Sequence, residues 1–131
     1  MKPVVLVVGS GARPSSAITR YFDLVYLATP NALRLALAIY ARGADIVHFN
    51  AYDVACIVTA KLLGTRVVVQ NPGKKPVWLA DALIVRTAAE MDAFPGRDVA
   101  VVPEPIDAAR LADDLTAIYS LVLPWPASQA G

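Results

Sequence analysis

Short apolar runs alternate with helical segments along most of the chain, and this alternation constrains the fold more than any other feature. Six runs have the length and composition of strands, at residues 4–8, 24–27, 45–49, 66–70, 82–85 and 99–102, and the first, a continuous β-branched run, is typical of a strand buried on both faces. Such alternation predicts βαβ crossovers and a mainly parallel, doubly wound sheet with helices on both faces, which is a Rossmann-like α/β fold. Right-handed crossovers leave few topologies, and among these we expect the strand order 2-1-3-4-5-6.

The helical segments are recognised by spacing and by capping residues. We expect helices at 15–21, 31–41, 54–63 and 87–94, and a last helix from Asp107 onwards. Residues typical of helix caps stand at Gly43, Asp53, Thr87 and Asp107. In the segment 31–41, Leu33, Leu37 and Tyr40 share one face, as in a helix with an apolar side. Cys56 has apolar neighbours, and we expect it in the core.

The composition fits one domain with a well-filled core. The chain has 131 residues, 56% of them hydrophobic and 18% charged, which excludes a disordered chain. We assign residues 1–120 to the domain and residues 121–131 to an apolar tail with Trp125 between two prolines. Twelve basic residues against eleven acidic ones give no general attraction to nucleic acid, so we expect no nucleic-acid partner.

Several classes of site and location are excluded by what the sequence contains. One cysteine forbids an internal disulfide and a cysteine zinc site, and we expect neither a metal nor a cofactor.

The longest apolar stretch, 24–41, is interrupted by Pro30 and Arg34, so we expect no membrane span. The first apolar run is too short for a secretory signal, which favours a cytoplasmic protein; contact of the tail with a membrane surface stays open. The excess of Arg over Lys is typical of thermophiles and equally of GC-rich genomes.

The predicted topology also predicts where a ligand binds. In the order 2-1-3-4-5-6 the switch point lies between the first and third strands, and ligands bind there, outside the carboxyl ends of the strands. The loop after the first strand carries Gly9, Ser10, Gly11 and Arg13. Glycines let the backbone approach a phosphate or a sugar hydroxyl, and Arg13 adds charge. The loop lacks the residues of a Walker motif and the third glycine of a dinucleotide fingerprint, so a tight turn is the alternative.

Polar residues follow other strands of the predicted sheet. His48 ends the third strand and Asn50 follows it, so both are candidates to hydrogen-bond a hydroxyl-rich ligand. A purely structural hydrogen bond is the alternative for His48. Glu104 lies in a stiff turn after the sixth strand, and one carboxylate there is weak support for acid–base chemistry.

Basic residues concentrate around the fourth strand. Lys74 follows this strand, and with Lys61, Arg66 and Lys75 it forms a stretch that lacks an acidic residue nearby in the predicted layout. Such a stretch suits an anionic ligand such as a phosphate or diphosphate. A solvated loop is the alternative reading.

Four segments in order carry a family resemblance: Asp-Ile-Val-His within 44–48, a helix–Gly–strand segment at 60–69, Ala-Asp-Ala-Leu-Ile-Val-Arg-Thr at 80–87, and Val-Val-Pro-Glu-Pro-Ile-Asp at 101–107. They resemble the N-terminal, acceptor-side domain of the retaining GT-B glycosyltransferases. The resemblance covers about residues 44–111, and 4–11 fits that domain's first strand and loop. It implies a Rossmann-like domain on one side of a cleft that takes a sugar, sugar-phosphate or nucleotide-sugar ligand.

The sequence also departs from that family. Asn71-Pro72-Gly73 stands where the family carries His-Gly, and Glu104-Pro105 stands in place of its Asn-Gly. The family's second domain, which holds the nucleotide-sugar site, has no counterpart in these 131 residues. The resemblance therefore implies an acceptor-, sugar- or phosphate-binding half without independent transferase activity, which either works with a separate donor-domain chain or acts as an acceptor-binding module. No catalytic residue is assigned.

Two other functions stay open at this point. One is a self-contained domain that binds a small metabolite or a nucleotide at the switch point. The other is a non-catalytic structural or interaction protein that forms a homodimer through the apolar tail.

Overall fold

The computed structural model describes residues 2–28, 31–103 and 106–123. These residues form an α/β fold with one sheet of parallel strands in the order β2-β1-β3-β4-β5-β6. The strands are β1 (Val4–Val8), β2 (Asp23–Leu27), β3 (Ile46–Phe49), β4 (Arg66–Gln70), β5 (Ala82–Val85) and β6 (Val99–Val101). The Rossmann-like fold class and the predicted strand order are confirmed.

Helices lie between most successive strands, and a last helix follows β6. They are α1 (Ala32–Arg42), α2 (Val54–Leu62), α3 (Ala88–Met91) and α4 (Ala108–Val122), with a 3-10 helix at Ser16–Arg20. The predicted caps are confirmed: Asp53, Thr87 and Asp107 each accept a hydrogen bond from a backbone N–H three residues on, and Gly43 adopts a left-handed φ of 63°. None of the helices in the described residues is long and apolar enough to cross a bilayer.

The third helix is shorter than the predicted segment 87–94. It ends at Met91, and the chain continues in tighter turns, in which the N–H groups of Ala93 and Phe94 bond to carbonyls three residues back. Of the predicted tail at 121–131, the residues from 124 onwards lie outside the described residues.

Two apolar cores lie on opposite faces of the sheet, because successive strand side chains point to opposite faces. Val5, Val7 and Val68 belong to the core under α4 and the 3-10 helix. The neighbouring positions in the strands, such as Leu6 and Val67, belong to the core under α1 and α2. Cys56 is buried in this second core, as predicted.

Helix α1 is oriented differently from what its spacing suggests. Leu35 and Ile39 pack against the sheet, whereas the face that carries Leu33, Leu37 and Tyr40 is exposed. Apolar residues occur on nearly every side of this helix, so hydrophobic spacing alone does not determine which side meets the sheet. An apolar surface is left exposed on this side of the domain.

Candidate functional site

One cavity opens at the carboxyl ends of β1, β3 and β4, between the sheet and α4; we call it the main cavity because of this position, although a cavity beside the 3-10 helix has a larger volume of about 910 Å³. The volume of the main cavity is about 740 Å³, within the usual range for small-molecule sites. The described polar residues that line it are Ser10, Tyr26, His48, Asn50, Gln70, Asn71, Arg86 and Tyr119. Its apolar lining includes Val7, Leu24, Val102, Ile106, Leu111 and Leu115. The cavity lies at the junction of β1 and β3, where the strand order predicts a ligand site.

The loop after β1 is held against Asn50 by its glycines. Gly9 has a φ of 93°, its N–H donates to the Leu27 carbonyl at 2.9 Å, and its carbonyl accepts from Asn50 Nδ2 at 3.3 Å. At Gly11, an added Cβ would lie 2.9 Å from Cγ of Asn50. Glycine at this position therefore permits the close approach that places Ser10 and Gly11 on the cavity wall.

His48 is placed in the cavity by the pleat of β3. It stands opposite Val7 and Val68 in the neighbouring strands, and so faces the α4 side of the sheet. Its Nε2 lies 2.9 Å from Oε1 of Gln70, and its Nδ1 lies 2.6 Å from the Tyr119 hydroxyl. An amide oxygen only accepts, so Nε2 carries the hydrogen and Nδ1 accepts from Tyr119. Both ring nitrogens are thus satisfied within the protein.

Burial keeps both His48 and Tyr119 uncharged. It lowers the pKa of His48 to about 4, against an opposing effect of the Gln70 hydrogen bond, so the imidazole is neutral at pH 7. Burial, and to a lesser degree Tyr26, raises the pKa of Tyr119 and keeps its hydroxyl protonated. The Tyr119 ring also packs edge-on against Phe22, with centroids 5.4 Å apart. His48 and Tyr119 are therefore a fixed, uncharged part of the wall.

Three lining residues lie directly at strand ends and were not among the predicted site residues. Gln70 ends β4, and Asn71 follows it with a left-handed φ of 52°, which asparagine tolerates better than most residues. The Asn71 N–H donates to the Ile84 carbonyl at 2.8 Å, which joins this turn to β5. Arg86 is the first residue after β5. The signal that could have found them is their position as the first polar residues after apolar strands.

Tyr119 was missed for another reason. It lies in the apolar stripe of α4 beside Ile118 and Val122, where an aromatic side chain is typical of a core. Only the packing of α4 over the sheet brings its hydroxyl to His48, and no local pattern marks that contact.

The predicted site residues are only partly brought together. Ser10, Gly11, His48 and Asn50 line the main cavity. Gly9 contacts the site through its hydrogen bond from Asn50.

Two other predicted residues, Arg13 and Lys74, are not part of this lining, and a third is not among the described residues. The Arg13 guanidinium stacks 4.0 Å above the ring of Tyr26, which itself lines the cavity. Lys74 lines a neighbouring cavity of about 410 Å³ that shares Asn71 and Arg86 with the main one. Glu104 falls outside the described residues.

The predicted basic stretch around β4 does contain an acidic partner, so that expectation was wrong. Asp81 lies 2.9 Å from Nζ of Lys61 and 3.7 Å from the Arg66 guanidinium. Arg66 starts β4, at the opposite end of the strand from the cavity. Neighbours in sequence are thus separated by the length of a strand, and only Lys74 and Lys75 follow its carboxyl end.

The described residues contain no group of three or more His, Cys, Asp and Glu side chains arranged to hold a metal ion. No model of a known protein family matches the chain, and no curated protein matches it either. The fold and the cavity therefore carry the functional argument.

Proposed function

We propose that this chain is a glycosyltransferase-like domain that binds a sugar or a sugar phosphate at the carboxyl ends of β1, β3 and β4. The observation that carries the proposal is the cavity of about 740 Å³ at the junction of β1 and β3, with hydroxyl, amide and guanidinium groups on its wall.

The lining chemistry supports a hydroxylated, neutral or anionic ligand. Ser10, Asn50 and Asn71 offer neutral donors and acceptors, which suit sugar hydroxyls. Among the described lining residues Arg86 is the charged one, and a guanidinium binds phosphate in a bidentate manner. The apolar wall under α4 suits the less polar face of a sugar ring.

Three of the segments that carry the family resemblance also contribute to the cavity. His48 comes from the segment 44–48, Arg86 from 80–87 and Ile106 from 101–107. The resemblance therefore extends to residues that line the cavity, which supports the acceptor-side interpretation.

We assign binding rather than group transfer to these residues. The described lining contains no carboxylate that could act as a base, and both nitrogens of the neutral His48 are already hydrogen-bonded. In this proposal, transfer from a nucleotide sugar needs a donor-binding domain supplied from elsewhere, such as a separate chain.

Thermal unfolding with a panel of ligands tests the proposal. The panel is glucose, glucose 1-phosphate, inorganic phosphate, ADP and UDP-glucose at millimolar concentration. A ligand at about ten times its Kd should stabilise the fold by about 1.4 kcal/mol, which raises Tm by several degrees. We expect glucose 1-phosphate to raise Tm more than inorganic phosphate does.

The variant Asn71→Gly should lose most of this shift, because the amide leaves the cavity wall. The exposed control Lys2→Gln lies at the other end of β1 and should keep it. The absence of any shift contradicts the proposal, and a larger shift with ADP supports the nucleotide-binding alternative.

A further inference from the structure

The outward surfaces of α1 and α2 carry large apolar side chains. Leu33, Leu37 and Tyr40 on α1 are 69%, 61% and 90% exposed. On α2, Val58 is 37% exposed and Leu62 is 81% exposed. These positions recur at helical spacing, on the side of each helix that faces away from the core.

The two helices form one surface, because both pack on the same core, side by side. The surface continues beyond α2, where Val54, Val58 and Trp78 line a shared apolar groove of about 200 Å³. Val54 is 58% exposed and Trp78 is 69% exposed. We call these seven residues the α1/α2 face: Leu33, Leu37, Tyr40, Val54, Val58, Leu62 and Trp78.

The size of the α1/α2 face exceeds what a monomer usually exposes. From their exposed fractions, the seven residues present on the order of 900 Å² to solvent, whereas the largest apolar patch of a typical monomer is about 300–600 Å². A stable dimer buries about 800 Å² on each partner. The exposed apolar area is therefore large enough for one side of a dimer interface.

The charges beside the α1/α2 face are of both signs. Asp53 stands at the start of α2, where it accepts from the Cys56 N–H, while Arg34 lies on α1. A second copy in a two-fold arrangement can offer each of them a charge of the opposite sign. We infer that the α1/α2 face is the interface of a two-fold symmetric homodimer of this chain.

Sedimentation velocity at about 1–100 µM protein tests the inference. The test variant is Leu37→Lys/Leu62→Lys, which places two charges at exposed positions of the α1/α2 face. The matched control is Leu121→Lys, which changes a residue that is 63% exposed on α4, across the sheet. We expect a dimer for the wild type and the control, and at least a tenfold weaker dimer for the double variant. The circular dichroism spectrum should be the same in all three, which shows that the double variant still folds; its Tm should fall only by the stabilisation that dimerisation supplies, and this fall should be smaller at lower protein concentration.

Each other outcome overturns the inference. A wild type that is monomeric throughout this range contradicts it, as does a double variant that dimerises as well as the wild type. Loss of the dimer in the Leu121→Lys control alone places the contact at the carboxyl-terminal end of α4 instead. Monomeric wild type that sediments with phosphatidylglycerol vesicles, when the double variant does not, assigns the face to lipid.

Discussion

The Tyr119 hydroxyl donates a hydrogen bond to Nδ1 of His48 across 2.6 Å, and this bond joins α4 to β3 beneath the cavity. The Gln70 amide holds the other ring nitrogen, so the imidazole is fixed at both ends. The wall of the cavity is thus organised by side chains that the strands and the last helix bring together.

Removing the tyrosine hydroxyl should destabilise the fold. In Tyr119→Phe, Nδ1 of the buried imidazole loses its donor, and we expect the free energy of unfolding to fall by about 1–3 kcal/mol. Urea denaturation measures this change. Tyr21→Phe is the control, because Tyr21 is exposed; an equal loss in both variants would contradict the role of the bond.

The neutral His48 should make stability fall in acid. Its pKa is lowered to about 4 in the folded chain from 6.5, so the unfolded chain binds a proton at a pH where the folded chain does not. The stabilising effect is present above about pH 6.5 and is lost as the pH falls towards about 4, by about 2–3 kcal/mol. Urea denaturation between pH 4 and 7.5 measures it.

The variant His48→Gln isolates this contribution from the carboxylates, which titrate in both proteins. We expect the difference in unfolding free energy between wild type and variant to shrink as the pH falls through this window. If this difference stays constant with pH, protonation of His48 is not the cause of the loss of stability in acid.

The contact between Gly11 and Asn50 should appear as an energetic coupling. Gly11→Ala places a methyl group 2.9 Å from Cγ of Asn50, so the amide must rotate away and lose its bond to the Gly9 carbonyl. We expect a loss of about 1 kcal/mol in unfolding free energy. In an Asn50→Ala background the same substitution should be neutral or stabilise by up to about 1 kcal/mol. A double-mutant cycle without coupling would contradict the close approach.

The variant Asn71→Gly should weaken ligand binding while changing the stability of the fold only slightly. Asn71→Gly removes the amide from the cavity wall but keeps a residue that tolerates the left-handed φ of 52°. Glycine relieves the backbone strain of the folded chain, which stabilises it, but it also adds conformational freedom to the unfolded chain, which destabilises the fold. Because these two effects oppose each other, we expect the unfolding free energy to change by less than about 1 kcal/mol. Affinity for glucose 1-phosphate, measured by calorimetry, should fall at least about tenfold. An unchanged affinity would remove Asn71 from the site.

The strands were predictable because their cause is local. The inner parallel strands are buried on both faces and leave continuous apolar runs. Each predicted run matches an observed strand to within one residue at either end, including the more exposed edge strands β2 and β6. The caps at Asp53 and Asp107 were predictable for the same reason, since a cap acts within one turn of its own helix.

The missed features depend on tertiary contacts. Nothing near Tyr119 in sequence shows that its hydroxyl reaches His48, and nothing near Lys61 shows that Asp81 pairs with it. The side of α1 that meets the sheet is not determined by the spacing within the helix, because apolar residues occur on nearly every side of it, which is why the exposed Leu37 was not anticipated.

Amide chemical shifts during a titration with glucose 1-phosphate test the central claim most directly. The account predicts saturable shifts at Ser10, Gly11, Asn50 and Asn71, around the main cavity. It predicts no shift at Asp45, which precedes β3 at the amino ends of the strands. Shifts confined to other surfaces, or no saturable shift at millimolar ligand, would contradict a sugar-phosphate site at the carboxyl ends of β1, β3 and β4.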